Sequence, residues 1–278
     1  MQTSIAQAAA LTIFGNGVLR GDKTQDFWPV SSVFEFCRNV RFAELDGAAS
    51  APKESPFADD PVQWISRLKD KGTAALRIHH VPRNDPKISD RMSVGFVGGG
   101  GRWLIETMDA ELSDIWEAAW RLGDKEDPAR KIWDVTYYRV SAGRAHLQLQ
   151  TIDLVALRND LNSTLSSIEA FATRQGLGYF AGAFRKAHDV LDSNDPLADV
   201  YHSDLVSDPR MSIEARRLLG AAQTSWVFGG MGSWNDVGFD GSYRHEYEEL
   251  SDRLFALLIL VICGAVNSVV ADTGDVGR

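Results

Sequence analysis

The first half of the chain carries short segments in which apolar residues alternate with polar ones, as expected for β-strands. Five segments show this alternation or are rich in β-branched and aromatic residues. They are FWPVSSVFEFCRNVRFAEL (27–45), expected to form one bent strand or a hairpin, ALRIHHV (75–81), MSVGFV (92–97), RWLIET (102–107) and WDVTYYRVS (133–141). A helix is predicted to begin at Asp59 or Asp60, with Pro61 in its first turn, and to end near Gly72. A second helix is predicted over Glu111–Leu122, so about two helices accompany the strands.

From residue 152 onward, apolar positions recur every three or four residues, which is the period of an amphipathic helix. The stripes over Leu154–Phe171 and Phe180–Leu191 predict a helical hairpin, because two glycines lie between them. A short helix over Ile213–Ala222 and a long helix from Tyr243 to about Ala271 follow. The C-terminal half is therefore expected to be mainly helical.

Together these patterns predict the α+β class. A mostly antiparallel N-terminal sheet with about two helices, in residues 1–150, packs on a mainly helical region, residues 151–278. No flexible linker marks the boundary, so the two regions are either separate domains or parts of one domain with a shared core.

The long C-terminal helix raises the question of a membrane anchor. The stretch Leu254–Ala271 contains no charged residue, and its length is at the lower limit for crossing a bilayer. Gly264, Asn267 and Ser268 interrupt its apolar character, and an acidic tail follows it. We therefore favour a buried helix, or a helix shared between the core and a homodimer interface over residues 254–270. A membrane span is the less favoured alternative.

The composition of the chain indicates which classes of binding partner and which cellular compartment to expect. The chain has 29 Lys and Arg against 38 Asp and Glu, a formal net charge of -9, which disfavours nucleic acid as a partner. Cys37 and Cys263 lie far apart in sequence and are expected to be reduced thiols. The N-terminal segment MQTSIAQAAALTIFGNG lacks the basic start and long apolar stretch of a secretory signal. We expect a cytoplasmic protein.

Two motifs resemble functional sites but have simpler interpretations. The run Gly98–Gly101 follows a predicted strand, as in phosphate-binding loops, yet another strand rather than a helix is predicted after it. A hairpin tip is the favoured interpretation. His79 and His80 are adjacent on a predicted strand, so their rings point to opposite faces and are poorly placed to share a metal.

Two further histidines stand close to carboxylates in the sequence. His202 and Asp204 lack a third ligand nearby, and His245 and Glu249 fit the solvated first turns of a helix. No metalloprotease or serine-hydrolase motif is present. Neither a metal nor a cofactor is predicted.

The loop Trp226–Gly241, WVFGGMGSWNDVGFDG, is the strongest functional candidate. It contains five glycines, two tryptophans and two phenylalanines, whereas connectors between helices are usually short and polar. We expect its first half to pack and its second half to be presented to solvent. The predicted binding residues supply contact area or directed hydrogen bonds; they are Trp234, Asn235, Asp236, Phe239 and Asp240.

These features predict a non-catalytic interaction or accessory protein that binds a protein partner or a small ligand through the loop 226–241. The alternative is a hydrolase-type enzyme in which Asp236 and His245, close in sequence across a glycine turn, form an acid–base pair.

Overall fold

The computed structural model describes residues 1–23, 27–46, 53–148, 152–196, 200–206 and 210–270. The chain forms two compact units. The sheet unit contains the described residues of Thr3–Val81 and Arg102–Leu149, with residues 269–270. The helical unit contains Met1–Gln2, Pro82–Gly101 and the described residues from 150 to 268. The segment Pro82–Gly101 therefore belongs to the helical unit, although strands precede and follow it in sequence.

In the described residues of the sheet unit, six strands form one mixed sheet in the order β2-β1-β6-β5-β4-β3. The strands are β1 (Cys37–Asp46), β2 (Lys53–Ala58), β3 (Ala75–Val81), β4 (Arg102–Met108), β5 (Ser113–Leu122) and β6 (Trp133–Arg144). Only β1 and β6 pair in parallel, and the other four pairings are antiparallel. The predicted α+β class with a mostly antiparallel sheet is confirmed.

Strand β5 corrects the prediction of a helix over Glu111–Leu122. Its spaced apolar residues fit a helical stripe, but β5 lies between β4 and β6 and pairs with both. The indole of Trp116 is fully buried and meets Trp64 at 5.7 Å between ring centroids. Pairing on two sides and burial of a large aromatic side chain outweigh a weak local preference.

The segment MSVGFV, predicted as a strand, is also corrected. The short helix α3 (Asp90–Ser93) begins it, and the side chain of Ser89 accepts a hydrogen bond from the Met92 N–H at 3.3 Å. A series of turns follows up to β4, with Gly98, Gly100 and Gly101 at positive φ. The N–H groups of Phe96 and Gly99 donate to the carbonyls of Ser93 and Phe96, both at 2.9 Å, so these backbone groups are used in turns and are not available for strand pairing.

Helix α2 (Pro61–Asp70) forms as predicted. The Asp60 carboxylate accepts a hydrogen bond from the Gln63 N–H at 2.8 Å, and Pro61 occupies the first helical position. Gly72, with φ +86°, lies just beyond the end of the helix. Trp64, Ile65 and Leu68 form its buried face.

Helix α1 (Thr3–Leu19) was not predicted and is buried along most of its length. Its polar residues bind the sheet. Asn16 donates to the Leu76 carbonyl at 2.8 Å and accepts from the Leu76 N–H at 2.9 Å. Because β3 is an edge strand, this pair of hydrogen bonds satisfies backbone groups that no neighbouring strand reaches.

The described part of the helical unit contains α4 (Leu154–Arg174), α5 (Gly178–Asp192), α6 (Ser203–Val206), α7 (Ile213–Thr224) and α8 (Gly241–Asn267), in addition to α3. The predicted hairpin corresponds to α4 and α5, with Gly176 at φ +71° between them. Much of the uncharged stretch of α8 is buried, including Leu254, Leu258 and Val261. None of the described helices has the length and apolar character needed to cross a membrane.

Candidate functional site

The loop Trp226–Gly241 joins α7 to α8, and its middle is fixed by a buried tryptophan. Trp234 begins a short 3₁₀ turn, Trp234–Asp236, and has no exposed surface. Its indole N–H donates to the Ser251 hydroxyl at 2.7 Å, and the Tyr247 hydroxyl donates to its carbonyl at 2.5 Å. The expectation that Trp234 offers contact area does not fit this placement, because the indole is used in the core.

Aromatic side chains surround Trp234 in the helical unit. Its ring centroid lies 5.1 Å from that of Phe180 and 5.4 Å from that of Phe184, both edge-to-face. Phe239 is half-buried and contacts Phe171 at 5.1 Å. Such pairs stabilise the fold beyond simple area burial. Packing in the core, which was expected of the first half of the loop, therefore also involves Trp234 and part of the Phe239 side chain in the second half.

Asn235 binds another segment of the chain. Its side-chain amide donates to the Arg91 carbonyl at 2.8 Å, and its side-chain oxygen accepts a longer hydrogen bond from the Arg91 guanidinium at 3.4 Å. Both hydrogen bonds of the Asn235 side chain join it to Arg91 of α3, and its predicted role in binding a partner or ligand stays a prediction.

Arg91 anchors α3 on the long helix. Only 3% of its surface is exposed, and its Nε donates to Asp252 at 2.6 Å, while a second ion pair joins the guanidinium to Glu248. Burial alone would lower the pKa of Arg91, but Asp252 and Glu248 outweigh that effect and raise it. The side chain is therefore a buried cation held by two carboxylates of α8.

The backbones of two glycine-rich loops meet beside this anchor. A Cβ atom at Gly95 would lie 2.6 Å from the carbonyl carbon of Gly229, a distance that real side chains do not tolerate. One at Gly99 would lie 2.5 Å from the Ser93 carbonyl carbon. The glycines in this segment permit close backbone packing, which replaces the predicted hairpin tip as the explanation of the run Gly98–Gly101.

Three apolar side chains next to this contact are exposed. Phe96 is 69% exposed and Val97 65% exposed on one loop, and Met231 is fully exposed on the other. Phe96 follows Gly95 directly and Met231 follows Gly230, so chain geometry keeps their Cα atoms within roughly 14 Å of each other. We call these three residues the apolar tip.

The sequence contained a signal for the apolar tip. Phe96 and Val97 lie between Gly95 and the run Gly98–Gly101, and apolar residues flanked by glycines on both sides are poorly suited to a buried strand. Because residues 92–97 were predicted to form a strand, the exposure of Phe96 and Val97 was not expected.

The two predicted aspartates of the loop are exposed. The Asp236 carboxylate accepts a hydrogen bond from the N–H of Gly232, the residue that follows Met231 in the chain. Asp240 directly precedes α8, and its side chain makes no capping hydrogen bond. His245 is exposed on the first turns of α8, and neither a hydrogen bond nor an ion pair joins it to Asp236, both residues being described. The acid–base alternative stays a prediction.

Among the other histidines, His79 of the sheet unit pairs with a buried carboxylate. Its Nε2 lies 2.8 Å from Oε2 of Glu106, whose carboxylate has no exposed surface. The Leu147 N–H donates to the other oxygen at 2.8 Å. Burial would raise the pKa of Glu106, but hydrogen bonds from His79, Leu147 and Ser113 together lower it. Sequence reasoning missed this pair because its members lie far apart in the sequence, on β3 and β4.

The other histidines considered in the sequence have different surroundings. His80 faces the Trp103 ring at 5.0 Å, whereas His202 is buried and its backbone N–H donates to the Gln223 side chain at 3.2 Å. Asp204 is exposed on α6. Within the described ranges, no group of three or more His, Cys, Asp or Glu side chains is arranged to hold a metal.

The fold and the loops thus define an α+β protein with an anchored, exposed apolar tip. Comparison with known proteins gives no match, whether to a family model, a curated protein or a solved structure. Its function is therefore inferred from the chain's own geometry.

Proposed function

We propose that this chain is a non-catalytic interaction protein that binds a protein partner through the apolar tip and the exposed carboxylates of the loop 226–241. The observation that carries the proposal is the exposure of Phe96, Val97 and Met231 on two loops in backbone contact. Exposed apolar groups clustered on a surface are typical of sites that another molecule covers.

The anchoring of the loops supports a recognition role. Arg91 joins α3 to α8, Asn235 joins the second loop to Arg91, and Trp234 holds the second loop in the aromatic core. A surface that is already ordered loses less conformational entropy when a partner binds. Asp236 and Asp240 add acidic groups, and the net charge is -9, so the fitting partner has an apolar pocket with a basic rim.

The test is a quantitative co-purification from the native host with three folded proteins. The wild type is compared with a Phe96→Ser, Met231→Ser double variant and with a control, Val30→Ser plus Tyr179→Ser, which removes two other exposed apolar side chains. We expect at least one protein to be recovered by the wild type and the control and to be reduced about tenfold or more with the double variant. Equal recovery by all three would refute the proposal.

The aromatic residues of the loop 226–241 also support a second form of this proposal, in which the loop binds a small ligand. Phe239 is half-buried beside the exposed Asp236 and Asp240. A ligand there would need both carboxylates but not the apolar tip, so the same double variant would leave its binding unchanged.

A homodimer through the helix 254–270 is a separate proposal. Most of this stretch is buried within the chain, and Leu260, 46% exposed, is its most exposed large side chain. Ala256, one turn earlier, is exposed on the same side of α8. This narrow stripe supports a helix-to-helix contact, whose test is given in the Discussion.

We also propose a cytoplasmic location. Cys37 and Cys263 are thiols in this structure, and burial raises the pKa of Cys37 to about 11, which keeps it protonated and unreactive. Reduced thiols are typical of a reducing compartment. Fluorescence microscopy of the tagged chain in its host tests the location.

A further inference from the structure

A small open cavity lies in the sheet unit and is lined by residues of that unit alone. Its volume is about 180 Å³, and it lies where the end of α2 meets β2, β6 and the turn between β4 and β5. Phe57, Leu68 and Thr107 are buried and form its floor, whereas Lys71 and Asp109 are exposed at its mouth. A space of this volume accommodates a molecule of a few heavy atoms rather than a nucleotide or a peptide.

Two carboxylates are held in fixed positions around the cavity. Asp109 Oδ1 accepts hydrogen bonds from the N–H groups of Glu111 and Leu112 at 2.9 and 2.7 Å, so its second oxygen remains available. Asp114 accepts from the Gly143 N–H at 2.8 Å and pairs with the Arg139 guanidinium at 2.9 Å. Arg139 pairs with Asp114 and also with Glu44 at 2.9 Å, whereas Asp109 makes no ion pair with a lysine or arginine among the described residues.

An ammonium group of the chain already contacts the apolar wall of this cavity. Lys71 Nζ lies 4.6 Å from the centre of the Phe57 ring, within the range of a cation–π contact. Its carboxylate partner, Glu44, is 3.7 Å away, and the lysine side chain is 58% exposed. A single long ion pair of an exposed lysine is weak, so another cation can displace this ammonium at little cost.

We propose that the cavity binds small organic ammonium ions, with the alkyl part against Phe57 and Leu68 and the charged group beside Asp109. Lys71 occupies the same aromatic face in the absence of a ligand and competes with it. A carboxylate ligand fits poorly, because it would face Asp109 and Asp114 with Lys71 as its only nearby cation in the lining of the cavity. This proposal does not depend on the apolar tip.

The experiment is an NMR titration of the full chain with n-butylammonium, and with butanoate as a ligand of similar size and opposite charge. We expect saturable shifts of the backbone amides at 107–114 and 143 with n-butylammonium, with a Kd in the millimolar range for a ligand of about five heavy atoms. Absence of saturation up to tens of millimolar, or equal shifts with butanoate, would overturn the proposal.

Two variants and a control locate the charge. Lys71→Ala should bind n-butylammonium about threefold to fivefold more tightly, and Asp109→Asn should bind it more weakly by a similar factor. Asp109→Asn retains the oxygen that accepts the two N–H groups of the turn, so the turn is preserved. The control is Asp127→Asn, because Asp127 Oδ1 also accepts two backbone N–H groups, from Ala129 and Lys131, in another turn. Unchanged affinity in Lys71→Ala, or equal weakening by Asp127→Asn and Asp109→Asn, would contradict the assignment.

Discussion

Replacement of the buried arginine by leucine, Arg91→Leu, tests how firmly the two glycine-rich loops are held. The change removes the hydrogen bond to Asp252 at 2.6 Å, the ion pair with Glu248 and the longer contact with Asn235. Leucine keeps part of the apolar packing beside the Tyr247 ring, which lies 5.9 Å from the guanidinium carbon.

The stability lost in Arg91→Leu depends on how exposed the partner carboxylates of Glu248 and Asp252 are. Loss of one member of a fully buried ion pair costs about 3–5 kcal/mol, since the other charge is left without water. Here the Glu248 and Asp252 side chains are 44% and 63% exposed and regain hydration when Arg91 is lost. We therefore expect a loss of about 2–3 kcal/mol, between the values for a buried and an exposed pair.

Urea denaturation gives the free energy of unfolding, and hydrogen exchange read by mass spectrometry gives its local distribution. Arg91→Leu should accelerate exchange at 91–101 and 226–236, and leave the sheet unit at β4 and β5 unchanged. The control is Arg102→Leu, which removes a partly exposed pair with Glu117 that has two hydrogen bonds, and this change should cost about 1 kcal/mol or less. Equal losses in the two variants, or unchanged exchange in both loops, would refute the anchoring role of Arg91.

Three further changes test other parts of the structure. Gly95→Ala should destabilise the helical unit by about 1–3 kcal/mol in urea denaturation, because its Cβ meets the Gly229 backbone, whereas Gly182→Ala, with open space around it, should not. The pKa of Glu106 is lowered in the folded state. The stability that ionised Glu106 contributes is therefore complete above its ordinary pKa of 4.5, and it is lost as the pH falls through the lowered folded-state pKa. Glu106→Gln should therefore flatten the dependence of the free energy of unfolding on pH below 4.5, and an unchanged slope there would contradict this. Leu260→Glu should convert a dimer to a monomer in sedimentation experiments, and a monomeric wild type would exclude the dimer.

Elements defined by local chemistry could be predicted from the sequence. The start of α2 depends on Asp60 and Pro61, both adjacent to the helix, and α4 and α5 have regular apolar stripes. The signals for these elements lie within a few residues of the structure they determine. The same holds for the packing role of Phe228, which is buried beside Phe255.

Elements determined by contacts between distant parts of the chain could not be predicted from the sequence. Strand β5 has apolar spacing that fits a helix, and only its pairing with β4 and β6 makes it a strand. Helix α1 is buried on nearly all sides, so it lacks the one-sided apolar stripe that marks a surface helix. In the candidate site, the pairing of Arg91 with Asp252 spans 161 residues, and nothing in the local pattern around either residue indicates it.

The most direct test of the interaction proposal is site-specific photocrosslinking in the native host. A benzophenone amino acid replaces Phe96 in one protein and Tyr179 in another, since both side chains are aromatic and highly exposed but Tyr179 lies on α5. We predict a discrete crosslinked protein adduct from position 96 that is absent from position 179. Adducts of the same partners at both positions, or none at position 96, would contradict the proposal that the apolar tip is the binding surface.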